Sequence, residues 1–170
     1  GYSEDIGFSI YAGGYGGRAL VWDPDDNHNS GPEIWGILDS LGFDAEYTTS
    51  LTGYRDSLYV YGAVFVCVGV WPSNYIIPAG SADAESLVSY LTSHGGSLYL
   101  EGGDVWYYDP LYAGGHDFGP VFHISGTSDG WSDISTLNGM TGTFTGGMSF
   151  TYGGENSYMD HLDAGSGALR

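Results

Sequence analysis

Asp83 to Asp104 reads DAESLVSYLTSHGGSLYLEGGD: a helix, a two-glycine stop, a short strand and a sharp turn flanked by carboxylates. Leu87, Val88 and Leu91 recur at helical spacing and give the helix one apolar face. Asp83 is placed to cap its start, and Gly95-Gly96 supplies the left-handed stop. Ser97 to Leu100 then reads as a strand that breaks at Glu101-Gly102-Gly103-Asp104. In an open α/β sheet the carboxyl ends of the strands are where ligands and chemistry collect. The stretch therefore says where a site belongs.

Upstream, the same alternation repeats. Ala63 to Val70 (AVFVCVGV) is a continuous apolar run, the signature of a strand covered on both faces. Arg18 to Trp22 reads as the first core strand. Ser30-Gly31-Pro32-Glu33 reads as a capping box that opens a helix, with Ile34, Ile37, Leu38 and Leu41 on one side and Gly42 closing it. Phe43 to Thr49 is a more polar strand suited to an edge. The order β-α-β-β-α-β predicts an α/β fold with a parallel, doubly wound sheet.

After Asp104 the composition shifts to Gly, Ser, Thr, Asp and aromatics, with short alternations such as Met148, Phe150, Tyr152 against Ser149, Thr151. Residues 105–170 are expected to form an irregular β-containing extension of a single domain over 18–170, whose core is 18–104. Ala168-Leu169-Arg170 reads as the start of a further strand, so a piece of a longer protein is expected. Residues 1–17 hold a strand pattern, Ile6, Phe8 and Ile10 on one side, followed by a glycine-rich linker. That apolar side needs burying, on this domain or on a neighbouring copy. Self-association through strand addition, possible as a filament, follows from it.

The net charge of −18, with 21 acids against three bases, all arginine, leaves nothing to neutralise phosphates. A nucleic-acid partner is excluded on that ground, and an anionic membrane surface disfavoured. No stretch approaches the ~20 apolar residues of a membrane span, so no membrane insertion is expected. Cations, glycans or another surface protein suit the chain better. Abundant Tyr, Gly, Ser, Thr and Asp without Lys predicts an extracellular or cell-surface location. The single Cys67 lies inside the apolar run and reads as a core thiol.

Three groups can carry function. Asp23, Asp25, Asp26, Asn27 and Asn29 place five oxygen-bearing side chains in one loop, which suits calcium; the same side chains can instead cap local turns. His28 stands where a calcium loop of the EF-hand kind needs glycine, and no cofactor is required by any motif. Glu101 and Asp104, with Asp109, Asp117 and His116 nearby, offer paired carboxylates for glycoside hydrolysis, for a cation, or for the turn's own amides. Trp71 and Tyr75 on one loop, and Trp106, Tyr107, Tyr108 and Tyr112 on the next, can converge on a sugar, meet a partner chain, or cap the sheet.

A strand ending in Gly69 (AVFVCVG) followed by LVSYLTSHGGSLYLEGG resembles the class I glutamine amidotransferase-like group, over roughly residues 18–104. That resemblance implies a flavodoxin-like fold with a nucleophilic cysteine at the turn after Tyr99-Leu100. This chain carries Glu101 there. His161, in Asp160-His161-Leu162-Asp163, resembles the family's late histidine and carboxylate. The resemblance thus implies a non-catalytic relative with a structural or interaction role. The alternatives are a hydrolase using Glu101 and Asp104, or a calcium-dependent carbohydrate-binding module.

Overall fold

The computed structural model describes residues 17–143, 145–154 and 156–168; Ile6, Phe8 and Ile10 lie outside them. Four strands form a parallel sheet: β1 (Arg18–Trp22), β2 (Asp44–Thr48), β3 (Ala63–Cys67) and β4 (Ser97–Glu101). Their order is β2-β1-β3-β4. The register aligns Leu20 with Val64 and Leu98, and ends with Cys67 beside Glu101. Helix α1 (Ser30–Ser40) connects β1 to β2, and α2 (Ala82–Thr92) connects β3 to β4.

Both faces of β1 and β3 are covered, which is why their sequences do not alternate. Leu20, Trp22, Val64, Val66 and Leu100 pack with Ala84, Leu87 and Tyr90 of α2 and with Leu58 of a short 3-10 turn, Arg55–Val60. Ala19, Val21 and Cys67 pack on the other side with Leu38 of α1, Ile34 lying against them. Each fully buried Val or Leu here contributes roughly 1.5–3 kcal/mol.

The ends of the helices differ from expectation. Ser81, not Asp83, caps α2: its backbone is extended and its Oγ accepts from the Ala84 N–H at 3.2 Å. Asp83 is inside the first turn, where it takes the Arg55 Nε–H at 2.7 Å. The expected capping box of α1 is not formed either. Asn29 already has helical angles and Ser30 is the first helical residue, with no side-chain cap bond. The apolar stripe of α1 is only half used. Leu38 is buried, but Ile37 and Leu41 are 57% and 68% exposed. Gly31, Ile34 and Leu38 define the inward line; Ile37 sits about a quarter-turn away from it and Leu41 is the C-cap.

The double glycine acts as expected, and packs as well. Gly95 takes φ +64°, and the Gly96 N–H returns to the Tyr90 carbonyl at 2.9 Å. A Cβ on Gly96 would overlap the Tyr90 ring, whose hydroxyl donates to the Tyr61 carbonyl at 2.9 Å.

Beyond β4 the chain forms a wide turn (Asp109–Ala113), a short helix α3 (Gly119–Phe122) and two antiparallel pairs. β5 (Ile124–Ser128) pairs with β8 (His161–Ala164), and β6 (Thr136–Asn138) with β7 (Ser149–Thr151). All residues of β6 and β7 are exposed, so the alternation around Phe150 buries neither side. No helix among the described residues is long and apolar enough to cross a membrane.

Candidate functional site

Each parallel strand hands its polar successors to the same edge of the sheet. A cleft of about 540 Å³ lies there, lined by Asp25, Asn27 and Asn29 after β1, Gly69 and Val70 after β3, and Leu100 to Gly103 at β4. Trp106, Tyr152, Met159, Asp160 and Leu162 complete it from the extension.

The loop after β1 is organised by its own carboxylates. Asp23 continues the ladder through its N–H to the Thr48 carbonyl, 2.9 Å, and its side chain is fully buried. Oδ2 accepts the Tyr47 hydroxyl at 3.0 Å and faces His28 Nδ1 at 3.5 Å, while Oδ1 has no partner. Burial pushes the Asp23 carboxyl up, against the Tyr47 hydrogen bond, and burial beside Asp23 pushes the Tyr47 hydroxyl up to about 12. Asp25 Oδ1 accepts the N–H groups of Asn27 and His28 at 2.9 and 2.5 Å, an Asx turn. A Cβ at Gly31 would overlap the Asp23 carboxylate, and one at Gly69 the Asp25 carboxylate. Of the five oxygen donors expected for calcium, Asp23 and Asp25 come together, and His28 joins them within 4.8 Å. Asp26, Asn27 and Asn29 are exposed.

At the elbow after β4, Glu101 Oε2 accepts the Tyr99 hydroxyl at 2.8 Å on the open face of the sheet. Cys67, its register partner, is buried; burial first, and the Glu101 charge second, push its thiol well above the ordinary range. Gly102 and Gly103 let the elbow close onto the neighbouring loop, with Val68 N–H on the Glu101 carbonyl and Gly103 N–H on the Gly69 carbonyl, both 3.0 Å.

Asp160 is a residue whose role the sequence conceals. Its Oδ2 accepts the N–H groups of Trp106 and Tyr107 at 2.9 and 2.7 Å, and Oδ1 that of Tyr108 at 3.3 Å. It caps the segment after the elbow from more than fifty residues away. Asp104 and Asp129 each bring a carboxylate oxygen within 4.8 Å of it and of one another. Burial, then Asp160 and Asp129, push Asp104 up to about 6; burial, then Asp104 and Asp160, push Asp109 up to about 7. Asp109 Oδ1 is buried without a partner.

The aromatics divide. Trp71 and Tyr108 line one cavity of about 310 Å³ with Asp104, Asp129 and Tyr158. Tyr158 meets Trp71 and Trp131 edge to face, at 5.4 and 5.1 Å between centroids, so three rings run in a row. The sequence gives no sign of Trp131 and Tyr158, because neither sits next to the other aromatics. Tyr75 packs on Trp22 in the core, Trp106 on Phe122, and Tyr107 on Tyr112.

His161 joins β8 to its neighbours. Its Nδ1 lies 3.1 Å from Ser128 Oγ and its Nε2 2.8 Å from Asp133 Oδ2. The three residue types match a hydrolase triad, but the serine meets Nδ1 and the carboxylate Nε2, the reverse of the usual arrangement. Asp117, also weighed at the elbow, spends Oδ1 on the Gly119 N–H at 2.9 Å.

No family model, curated protein or solved structure matches this chain.

Proposed function

We propose that the chain is a non-catalytic extracellular binding domain that holds a glycan on the aromatic face beside the elbow. The observation that carries it is the ring row Trp71, Tyr158 and Trp131, the first two of which line a cavity walled by Asp104 and Asp129. Ring faces bury the apolar side of a sugar, and carboxylates accept its hydroxyls. Trp71 and Trp131 are 50% and 72% exposed, although burying them would be favourable, which fits a surface kept for a ligand. The strand order supports a flavodoxin-like sheet, in which ligands collect where the order reverses, between β1 and β3.

The non-catalytic part of the reading rests on the elbow. In the class I glutamine amidotransferase-like group, which the sequence resembles, a cysteine belongs where Glu101 hydrogen-bonds Tyr99. Cys67 cannot replace it, being buried in β3 with its thiol held protonated. The extracellular setting follows from the acidic, lysine-free composition.

A glycan panel read by calorimetry tests the proposal. Trp71→Ala and Trp131→Ala should each abolish binding, while Glu101→Gln should leave it unchanged. Turnover of a glycoside, ester or amide that disappears in Glu101→Gln or Ser128→Ala would replace this reading with a hydrolase.

A further inference from the structure

We infer that Asp104, Asp129 and Asp160 bind a calcium ion that fastens the extension to the end of β4. Each carboxylate comes from a different segment: the elbow, the residue after β5, and the residue before β8. The chain itself sets them together, through Gly130 N–H to the Met159 carbonyl at 3.0 Å and Asp160 N–H to the Gly103 carbonyl at 2.8 Å. Oxygens within 4.8 Å of one another bracket a single ion close to calcium's bond length of about 2.3–2.6 Å.

A cluster of acids alone would not make a site, since such groups often sit in solvent. Here the central member does not. Asp104 is 4% exposed, and among the described residues its carboxylate receives no hydrogen bond. It lines the 310 Å³ cavity beside Asp129, whose Oδ1 is buried and unpartnered. Buried carboxylate oxygens without donors are costly unless a cation or hydrogen-bond donors meet them. Neither arginine among the described residues is free to meet them. Arg18 is engaged with Asp44 and Glu46, and Arg55 with Asp83. The donors are all oxygen and no imidazole or thiolate joins them, which selects a hard cation. Calcium accepts irregular oxygen sets of six to eight ligands, with water filling the cavity, where magnesium demands a near-ideal octahedron.

The ion would share its cavity with the proposed glycan face but needs no glycan to be held, and its test reads the metal alone. Terbium, a calcium surrogate, should luminesce on excitation of the protein, because Trp71, Tyr108 and Tyr158 line the same cavity. Calcium should compete the signal away and should raise the melting temperature relative to chelator. Asp104→Asn and Asp129→Asn, each folded by circular dichroism, should lose at least about tenfold in calcium affinity. In chelator Asp104→Asn should melt no lower than the wild type, since it removes repulsion. His28→Ala, in the separate cluster with Asp23 and Asp25, should bind as the wild type does. The inference is overturned by a wild-type protein indifferent to calcium and terbium. It is equally overturned if binding survives in Asp129→Asn, or if it is lost only in His28→Ala.

Discussion

Asp23 is the residue at which folding and charge conflict most directly. The end of β1 buries it completely, with one oxygen held by Tyr47 and the other left without a donor. Burial raises its folded-state value above the ordinary 3.8, so the folded chain holds this proton more tightly than the unfolded one. Stability from this group is therefore fully present below about pH 4 and is lost as pH rises through the folded value. Asp23→Asn cannot ionise, so it should gain on the wild type as pH rises above about 4 and level off once the folded value of Asp23 is passed, in urea unfolding measured at several pH values. A constant difference across that range would show that Asp23 keeps its ordinary acidity. The sequence revealed Asp23 only as one of several acids in a loop. Its burial comes from the Thr48 carbonyl and the Gly31 backbone, neither of which a local pattern reveals.

At the level of elements, strands and helices were legible because their signals are local. The run AVFVC reads as a doubly covered strand, and β3 is one; LVSYLTSHGG reads as a helix with a glycine stop, and α2 is one. Caps were less legible, since Ser, Asp and Asn compete for the same place and one residue of shift changes the winner. The two serines give a direct comparison. Ser81→Ala should cost about 1 kcal/mol, the value of a lost cap. Ser30→Ala should stay within about 0.5 kcal/mol, because Ser30 lies in the first turn of α1 and caps nothing. Equal losses in denaturant midpoints would restore the predicted capping box. The extension was legible only as short strands. Its partners are distant in sequence, as β5 with β8 and Asp160 with Trp106 illustrate, so nothing in the intervening loops announces them.

On the scale of the whole molecule, two features oppose each other. β4 ends the parallel sheet among the described residues, and Tyr99 on it is 47% exposed, an edge to which another strand can add. The net charge of −18 repels a second copy. We propose that self-association through this edge is held off at low ionic strength and emerges as salt screens the charge. Light scattering across a salt series should show mass rising with salt, and deletion of residues 1–12, which carry Ile6, Phe8 and Ile10, should abolish the rise. A chain monomeric at all salt concentrations would end that proposal. The reach of Asp160 has a different consequence. Three amides beside the elbow depend on a carboxylate that the ribosome adds more than fifty residues later. A nascent chain released early would own all four described parallel strands and lack the cap on the segment after the elbow. The shape of the elbow is thereby a record of synthesis having passed Asp160.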